Sequence, residues 1–393
     1  MFKAAIKPGA KTRFKLYCGL MKLLVKILKI LLKVIGILLG ILLAVLLLGS
    51  IYFIAANRLS TTTVYTYAQE TNANYDSGIT GAIYVPSNAY NAYQMWRDYS
   101  EEETDRDLSL AQSAGLNGLR VFTSYEYWLE DPAGFITKFE DFVTRAETYG
   151  IRIMPILFED CGVDNTEENR NASTDADGFC VCSPCRAIQH DSTRFQEVDE
   201  YVNAFMAVYG SDTRLLAIEI MNEPHLLSGN IDFAQYALKL CRAKGGSVPL
   251  TMGQLTIFHN ILFAGQLDIY QYHDNFPNAT WRMDAECKIG NFFAWAAGRP
   301  QWLTESQRVR TSGGGWGAAS IPEGDKTPDY SSLAPTIKEN NVCSFFWCLK
   351  VKPAYLPTQR ANGTFNGLFY EDGTPYSAAD LSAIQSLSAN TSN

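Results

Sequence analysis

Leu215-Leu216-Ala217-Ile218-Glu219-Ile220-Met221-Asn222-Glu223-Pro224 is the stretch on which the reading of this chain turns. Its first seven residues are apolar but for Glu219, and they read as a buried strand, the form taken by parallel strands covered on both faces. Pro224 fixes the turn that follows, so the Glu223 carboxyl stands at the C-terminal end of the strand. About eighty residues later Pro300-Gln301-Trp302-Leu303-Thr304-Glu305-Ser306 repeats the arrangement and carries Glu305 to a second strand end.

The same kind of run recurs on both sides. Ile79–Val85, Asn117–Phe122, Ile151–Leu157, Val248–Met252, Leu267–Tyr272 and Val342–Trp347 read as further strands. Between them lie helical patterns. Thr104–Ala114 stops at Gly115; Phe135, Phe139, Phe142 and Ala146 share one helical face before Gly150; Phe195, Val198, Val202, Phe205 and Tyr209 stripe another; Ala378–Leu387 closes the chain. Eight strand–helix repeats predict an α/β protein, a (β/α)8 TIM barrel over residues 78–393. An open doubly wound sheet is the alternative, but Tyr84-Val85-Pro86-Ser87-Asn88 stands where its Gly-rich phosphate loop would follow the first strand.

A formal net charge of −8 conceals an asymmetry. Residues 1–33 contain nine Lys or Arg and no acid, leaving the remainder with 24 basic and 41 acidic residues, a net of −17. Such a domain is disfavoured as a nucleic-acid binder. The basic segment precedes an uncharged run of 23 residues, Val34–Ala56. At ~1.5 Å per residue a helix of that length crosses a ~30 Å hydrocarbon core. Lysines crowded before it place the N-terminus in the cytoplasm and the domain outside the cell membrane, as a single-pass anchor; secretion after signal cleavage is the other outcome. The expected organisation is therefore a basic segment 1–33, a transmembrane helix 34–56, a linker 57–77 and a barrel. In an oxidising compartment Cys161, Cys180, Cys182 and Cys185 are expected to staple a loop by disulfides, whereas Cys241, Cys343 and Cys348 sit in apolar, core-like contexts. No metal-ligand spacing and no nucleotide loop asks for a cofactor.

Two strand-end carboxyls at one barrel mouth suit cleavage of a glycosidic bond with retention, one protonating the leaving oxygen and the other attacking the anomeric carbon. Glu223 takes the acid/base role, its proton held near neutrality by burial and the second carboxylate, and Glu305 that of nucleophile. Asn222 is placed to donate to a sugar 2-hydroxyl, Arg120 to pair with Glu305, and Glu219 to form an ion pair inside the barrel. His273 closes the sixth strand at the same mouth, and Trp347 at the end of the eighth offers an indole floor for a sugar ring. Tyr84, Trp96, Tyr125, Tyr127, Trp128 and Trp316 are candidates for further subsites, Trp316 on the glycine-rich stretch 313–317.

Leu216–Pro224, Trp302-Leu303-Thr304-Glu305, Gly115-Leu116-Asn117-Gly118-Leu119-Arg120, His273, Trp347 and the terminal Asn366–Pro375 together resemble the clan A retaining glycoside hydrolases, most closely glycoside hydrolase family 5. The resemblance implies Glu223 as acid/base and Glu305 as nucleophile, with Arg120, Asn222, His273 and Trp347 around the −1 sugar. It implies a β-linked poly- or oligosaccharide as substrate, cleaved by an endo-acting cellulase, mannanase or xylanase type of enzyme. Transfer to a sugar acceptor and binding without catalysis are the alternatives. The chain departs from the family twice. Leu157-Phe158-Glu159-Asp160 stands where a histidine usually follows the third strand, and Asn275 where a tyrosine often follows the sixth-strand histidine. Tyr272 or Tyr270 is the candidate to supply that phenol's contact with the nucleophile.

Overall fold

A computed structural model describes residues 8–60, 78–172, 180–224, 226–312, 320–354 and 356–388. It divides into two compact units, Met1–Ala55 and Ala56–Asn393. The first is helical: one helix runs over Pro8–Leu59, and its stretch Gly19–Leu59 is long and apolar enough to cross a membrane. Of the expected linker, residues 61–77 lie outside the described residues. Residues 57–60 belong to the second unit, where Asn57 Oδ1 accepts from the Tyr270 hydroxyl at 2.8 Å and the Ser60 hydroxyl donates to the Gly265 carbonyl at 2.7 Å.

The second unit is an eight-stranded parallel barrel: β1 (Thr80–Tyr84), β2 (Gly118–Phe122), β3 (Arg152–Glu159), β4 (Ile218–Asn222), β5 (Leu250–Gly253), β6 (Tyr270–Asp274), β7 (Gln301–Ser306) and β8 (Ser344–Phe346). The paired order is β5-β4-β3-β2-β1-β8-β7-β6. The ends of that order, β5 and β6, meet through separate hydrogen bonds: Asp268 N to Leu250 O and His273 N to Gln254 O, both 3.0 Å, and Thr251 Oγ1 to Ile269 O, 2.8 Å. All eight strands were anticipated, with displaced ends. Leu215 belongs to the apolar run before β4 yet makes only an isolated bridge to Ile153, and β8 stops one residue short of Trp347. Apolar character marks what is buried, and burial extends beyond the paired ladder.

Helices on the outside complete the two layers. Ser100 caps Glu101–Ser113 by accepting from Glu103 N, with three acids in the first turn where the helix dipole favours them. Asp131 caps Pro132–Thr148 through Gly134 N at 2.9 Å, and that helix buries Phe135, Phe139, Phe142, Val143 and Ala146. Gly150 follows with φ 71°, a left-handed backbone that costs a glycine least.

Between helices and barrel lies an aromatic layer, and it claims residues that the sequence offered as sugar subsites. Trp96 is fully buried, its ring centroid 5.5 Å from Phe135, 5.4 Å from Phe139 and 5.9 Å from Phe142, and its Nε1–H donates to Phe122 O at 2.8 Å. Tyr84 stacks on Phe142 and its hydroxyl donates to buried Asp107; Tyr125 and Trp128 pack on Tyr201; Tyr127 packs on Tyr93 and Phe135. These five are core residues, because nearness to a strand end does not decide which side of the strand a ring faces. Trp316 lies outside the described residues. Replacing Trp96 by Ala is expected to destabilise the domain by about 3–5 kcal/mol in a denaturant titration, with KM for any substrate unchanged in the folded fraction; a raised KM at unchanged stability would return it to the site.

Candidate active site

The site grows from Arg120, in the middle of β2 and wholly buried. Its Nε donates to Glu219 Oε2 at 2.6 Å, its Nη1 to Glu305 Oε1 at 2.7 Å, and its Nη2 to Asn222 Oδ1 at 2.6 Å and to Glu219 Oε1. One planar fork thus ties β2 to β4 and β7, using the fixed donor geometry of a guanidinium. Burial alone would lower its pKa, but the charges and hydrogen bonds of Glu219 and Glu305 hold it above the usual value. Glu219 is the internal ion-pair partner expected. Gly253 on β5 makes room for this cluster: a Cβ there would stand 2.3 Å from Glu219 Oε1 and 2.9 Å from Arg120 Nη2.

Irregular pairing brings the next shell of side chains to the mouth. The register shifts between Glu219 and Asn222 on β4, between Tyr272 and His273 on β6, and between Leu303 and Ser306 on β7. Such interruptions re-aim side chains, and these fall where Asn222, His273 and Glu305 emerge. Glu223 follows β4 with φ 46°, its amide held by Gly253 O at 2.8 Å. His273 Nδ1 lies 2.5 Å from Glu223 Oε1 and 3.8 Å from Glu305 Oε2. Asn275 Nδ2 donates to Glu305 Oε2 at 3.0 Å. An oxygen of Glu223 and one of Glu305 lie within 4.8 Å of each other, with His273 in the same group. Such a trio could hold a cation, but here its atoms are already engaged with one another, Arg120 and Asn275.

The open space beside this cluster is a cleft of about 300 Å³ lined by Phe122, Glu159, Cys161, Cys180, Asn222, Glu223, Glu305 and Trp347. A second cleft of about 340 Å³ shares Phe122, Glu159, Cys180 and Trp347 with it. Trp347 is thus common to both, 6.4 Å from Phe122 between ring centroids. Burial raises the Glu223 carboxyl, but the hydrogen bond and charge of His273, with the charge of Arg120, leave it below its usual range. Burial and the second carboxylate predict a proton held near neutrality; the direct hydrogen bond with His273 reverses that expectation.

Of the residues singled out from sequence, Arg120, Asn222, Glu223, His273, Glu305 and Trp347 come together at one mouth. Tyr272 does not. It precedes His273 and so faces the other way, its hydroxyl 3.7 Å from Cys287 Sγ in an outer cluster with Met283, Leu303 and Ile337. Tyr270 also turns outward, to Asn57, so the nucleophile candidate takes its extra hydrogen bond from Asn275. The disulfide expectation is likewise overturned: none of Cys161, Cys180, Cys182 and Cys185 is in a disulfide. Cys161 Sγ turns to Glu223 Oε2 at 3.6 Å and receives Asn222 Nδ2 at 3.4 Å, while Cys182 Sγ turns to Asp164 Oδ1 at 3.4 Å.

Glu159 was noticed in the sequence only as a missing histidine. It ends β3, accepts from Asn222 Nδ2 at 2.8 Å and from the Cys161 amide, and lines both clefts. Burial pushes its carboxyl well up, and the negative charges of Glu223 and Glu305 add to that. Burial likewise raises the Cys161 thiol, helped by Glu159 and Glu223. The strand-end position that picked out Glu223 and Glu305 applied equally to Glu159.

No family model matches the sequence, and no curated protein matches it. Solved structures do. An exo-β-1,4-mannosidase from Opitutaceae bacterium strain TAV5 superposes with a TM-score of 0.54 at 15% identity, over 80% of this chain and 59% of that one, so the chain spans about three-fifths of its length. A GH5_18 from Bifidobacterium longum subsp. infantis gives 0.55 at 13% identity, over 80% and 79% of the two chains. The endo-β-1,4-mannanase from Thermotoga petrophila gives 0.53 at 11% identity, over 81% and 77%. The fold is therefore a TIM barrel of the type found in family 5 glycoside hydrolases.

Gly253→Ala tests the crowding around the arginine. The added methyl must displace the Glu219 carboxylate or the guanidinium, so a loss of about 1–3 kcal/mol of stability is expected by thermal or denaturant unfolding. A variant as stable as the parent would show that the cluster yields without strain.

Proposed function

We propose that the barrel is a glycoside hydrolase that cleaves β-linked oligo- or polysaccharide by double displacement. One observation carries the reading: Glu223 and Glu305, from opposite parts of the barrel, have oxygens within 4.8 Å at the foot of an open cleft, with Glu305 ion-paired to Arg120. An oxygen pair at that range favours the ~5–5.5 Å carboxyl separation of retaining enzymes over the ~6.5–9.5 Å that leaves room for the water of inverting ones. In the first step the Glu305 carboxylate attacks the anomeric carbon, the bond to the leaving oxygen breaks, and the proton held by the Glu223–His273 pair passes to that oxygen. In the second, water attacks the glycosyl–Glu305 ester, Glu223 takes the water's proton, and Glu305 departs as carboxylate. Arg120 and Asn275 aim the nucleophile through one hydrogen bond to each of its oxygens. Asn222 spends one amide hydrogen on Glu159, and a sugar 2-hydroxyl is a better acceptor than the Cys161 sulfur that receives the other. Trp347 supplies the floor.

The structural neighbours make β-mannosides the first substrates to try, ahead of β-glucosides and β-xylosides. The lysine-rich side of the apolar helix supports a membrane anchor with the barrel on the outer side. Glu223→Ala and Glu305→Ala are each expected to lower kcat/KM on the best substrate by at least ~10²–10⁴-fold, and NMR of the first-formed sugar to show the anomer of the substrate. Parental activity in both variants, or an inverted product, would overturn the mechanism.

His273→Ala removes the hydrogen bond and charge that hold Glu223 low, leaving burial to raise it. Because the acid must be protonated to act, the alkaline limb of kcat/KM is expected to move to higher pH while the rate at the optimum falls. An unmoved or acid-shifted limb would separate His273 from the acid.

A further inference from the structure

Helix Thr280–Ala297 has one face with a place in the fold and one without. Met283, Cys287, Gly290 and Ala297 are buried, and Met283 and Cys287 join Ile257, Tyr272, Leu303 and Ile337 beneath the helix. The other face carries Trp281, Ile289, Phe292 and Trp295, which are 71%, 38%, 52% and 74% exposed. Phe292 and Trp295 follow Trp281 by close to three and four whole turns at about 3.6 residues each, so the rings form one stripe along the helix. The Phe292 and Trp295 rings are 6.0 Å apart. Trp281 and Trp295 are the two exposed tryptophans among the described residues. Lys288, in the same stripe, is paired with Asp284 at 2.7 Å, so the face carries little net charge.

The chain enters the barrel beside this helix. Arg58, in the last turn of the apolar stretch Gly19–Leu59, donates from Nε to Ala296 O and from Nη2 to Trp295 O, each at 2.7 Å. It satisfies carbonyls at the C-terminal end of helix Thr280–Ala297, where a cation also suits the helix dipole. A glycine, Gly298, with φ 66°, lets the guanidinium approach: a Cβ there would stand 2.8 Å from Arg58 Nη1. Asn57 and Ser60 hold neighbouring backbone through Tyr270 and Gly265. The residues that leave the apolar stretch are thus fixed to the turn that bears Trp295.

The geometry points to a membrane seat: the Trp281–Trp295 face lies in the boundary between headgroups and acyl chains of the bilayer that the N-terminal helix crosses. Aromatic rings favour that boundary, and a lysine among them extends its amine to the headgroups. The partner is a lipid surface because Arg58, at the end of the apolar run, is bound to the turn that bears Trp295, and the near-neutral charge of the face makes the contact one of apolar burial, independent of anionic lipid. The inference rests on the membrane-anchor reading above.

The test uses the full chain reconstituted in phosphatidylcholine nanodiscs, with acyl chains brominated near the headgroup to quench tryptophan emission at short range. Quenching is expected in the parent, and Trp281→Ser/Trp295→Ser is expected to lose at least half of the quenched amplitude while keeping the parent's circular dichroism and unfolding midpoint; 1 M salt should leave the parent's quenching in place. Equal quenching in variant and parent overturns the seat, and so does cross-linking through Lys288 that captures two copies with no quenching, which would assign the face to a second copy. Extraction of the full chain from vesicles by alkaline carbonate separates the failures: a chain that is released takes the anchor reading and the seat together, whereas a retained chain without quenching removes the seat alone.

Discussion

A single buried guanidinium governs this site. Arg120 satisfies two carboxylates and an amide from two other strands, and without it Glu219 and Glu305 would face each other across a dry barrel. Removing one member of a buried pair costs about 3–5 kcal/mol because the remaining charge is stranded. The cluster is therefore structural and chemical at once: the fork that closes the interior also fixes the direction of the Glu305 carboxyl. Gly253 is part of the same constraint, since the space that its missing side chain leaves is taken by Glu219 and Arg120.

The other carboxyls arrange themselves around that commitment. Arg120 is engaged by Glu219, Glu305 and Asn222, while Glu223 turns to His273 and Glu159 to Asn222 and the Cys161 amide. The consequence is a graded set. Glu223, hydrogen-bonded to His273, is held low, while Glu159, deeply buried and beside two other carboxyls, is pushed up. Four acids share this interior because Glu219 and Glu305 divide one guanidinium, Glu223 takes His273 and Glu159 takes Asn222, and this separation of environments divides acid from base roles.

Much of this was legible in the sequence, for a simple reason. Buried parallel strands are apolar on both faces, so eight runs could be counted, and residues at their C-terminal ends fall at the barrel mouth whatever the loops do. Arg120, Asn222, Glu223, His273 and Glu305 were found that way. Side was not legible where pairing is irregular or where a residue lies beyond the ladder. Tyr272 and His273 are adjacent and face opposite ways, and Trp96, Tyr125, Tyr127 and Trp128 lie in short helices whose direction no strand period sets. The cysteines were read from compartment chemistry, whereas in the fold Cys161 answers to Glu223 and Asn222. Glu159 and Asn275 stand where the family pattern has other residues, and only their positions in the fold show what they touch.

The backbone at Glu223 has a consequence for how this protein balances demands. Its φ of 46° puts a long, Cβ-bearing side chain in the left-handed region, which costs an ordinary L-residue roughly 1–2 kcal/mol and which glycine or asparagine occupies more cheaply. Folding alone would favour a smaller residue there. The turn is thus a place where stability and chemistry pull in opposite directions: a left-handed backbone position is occupied by a residue that presents a carboxyl to the cleft.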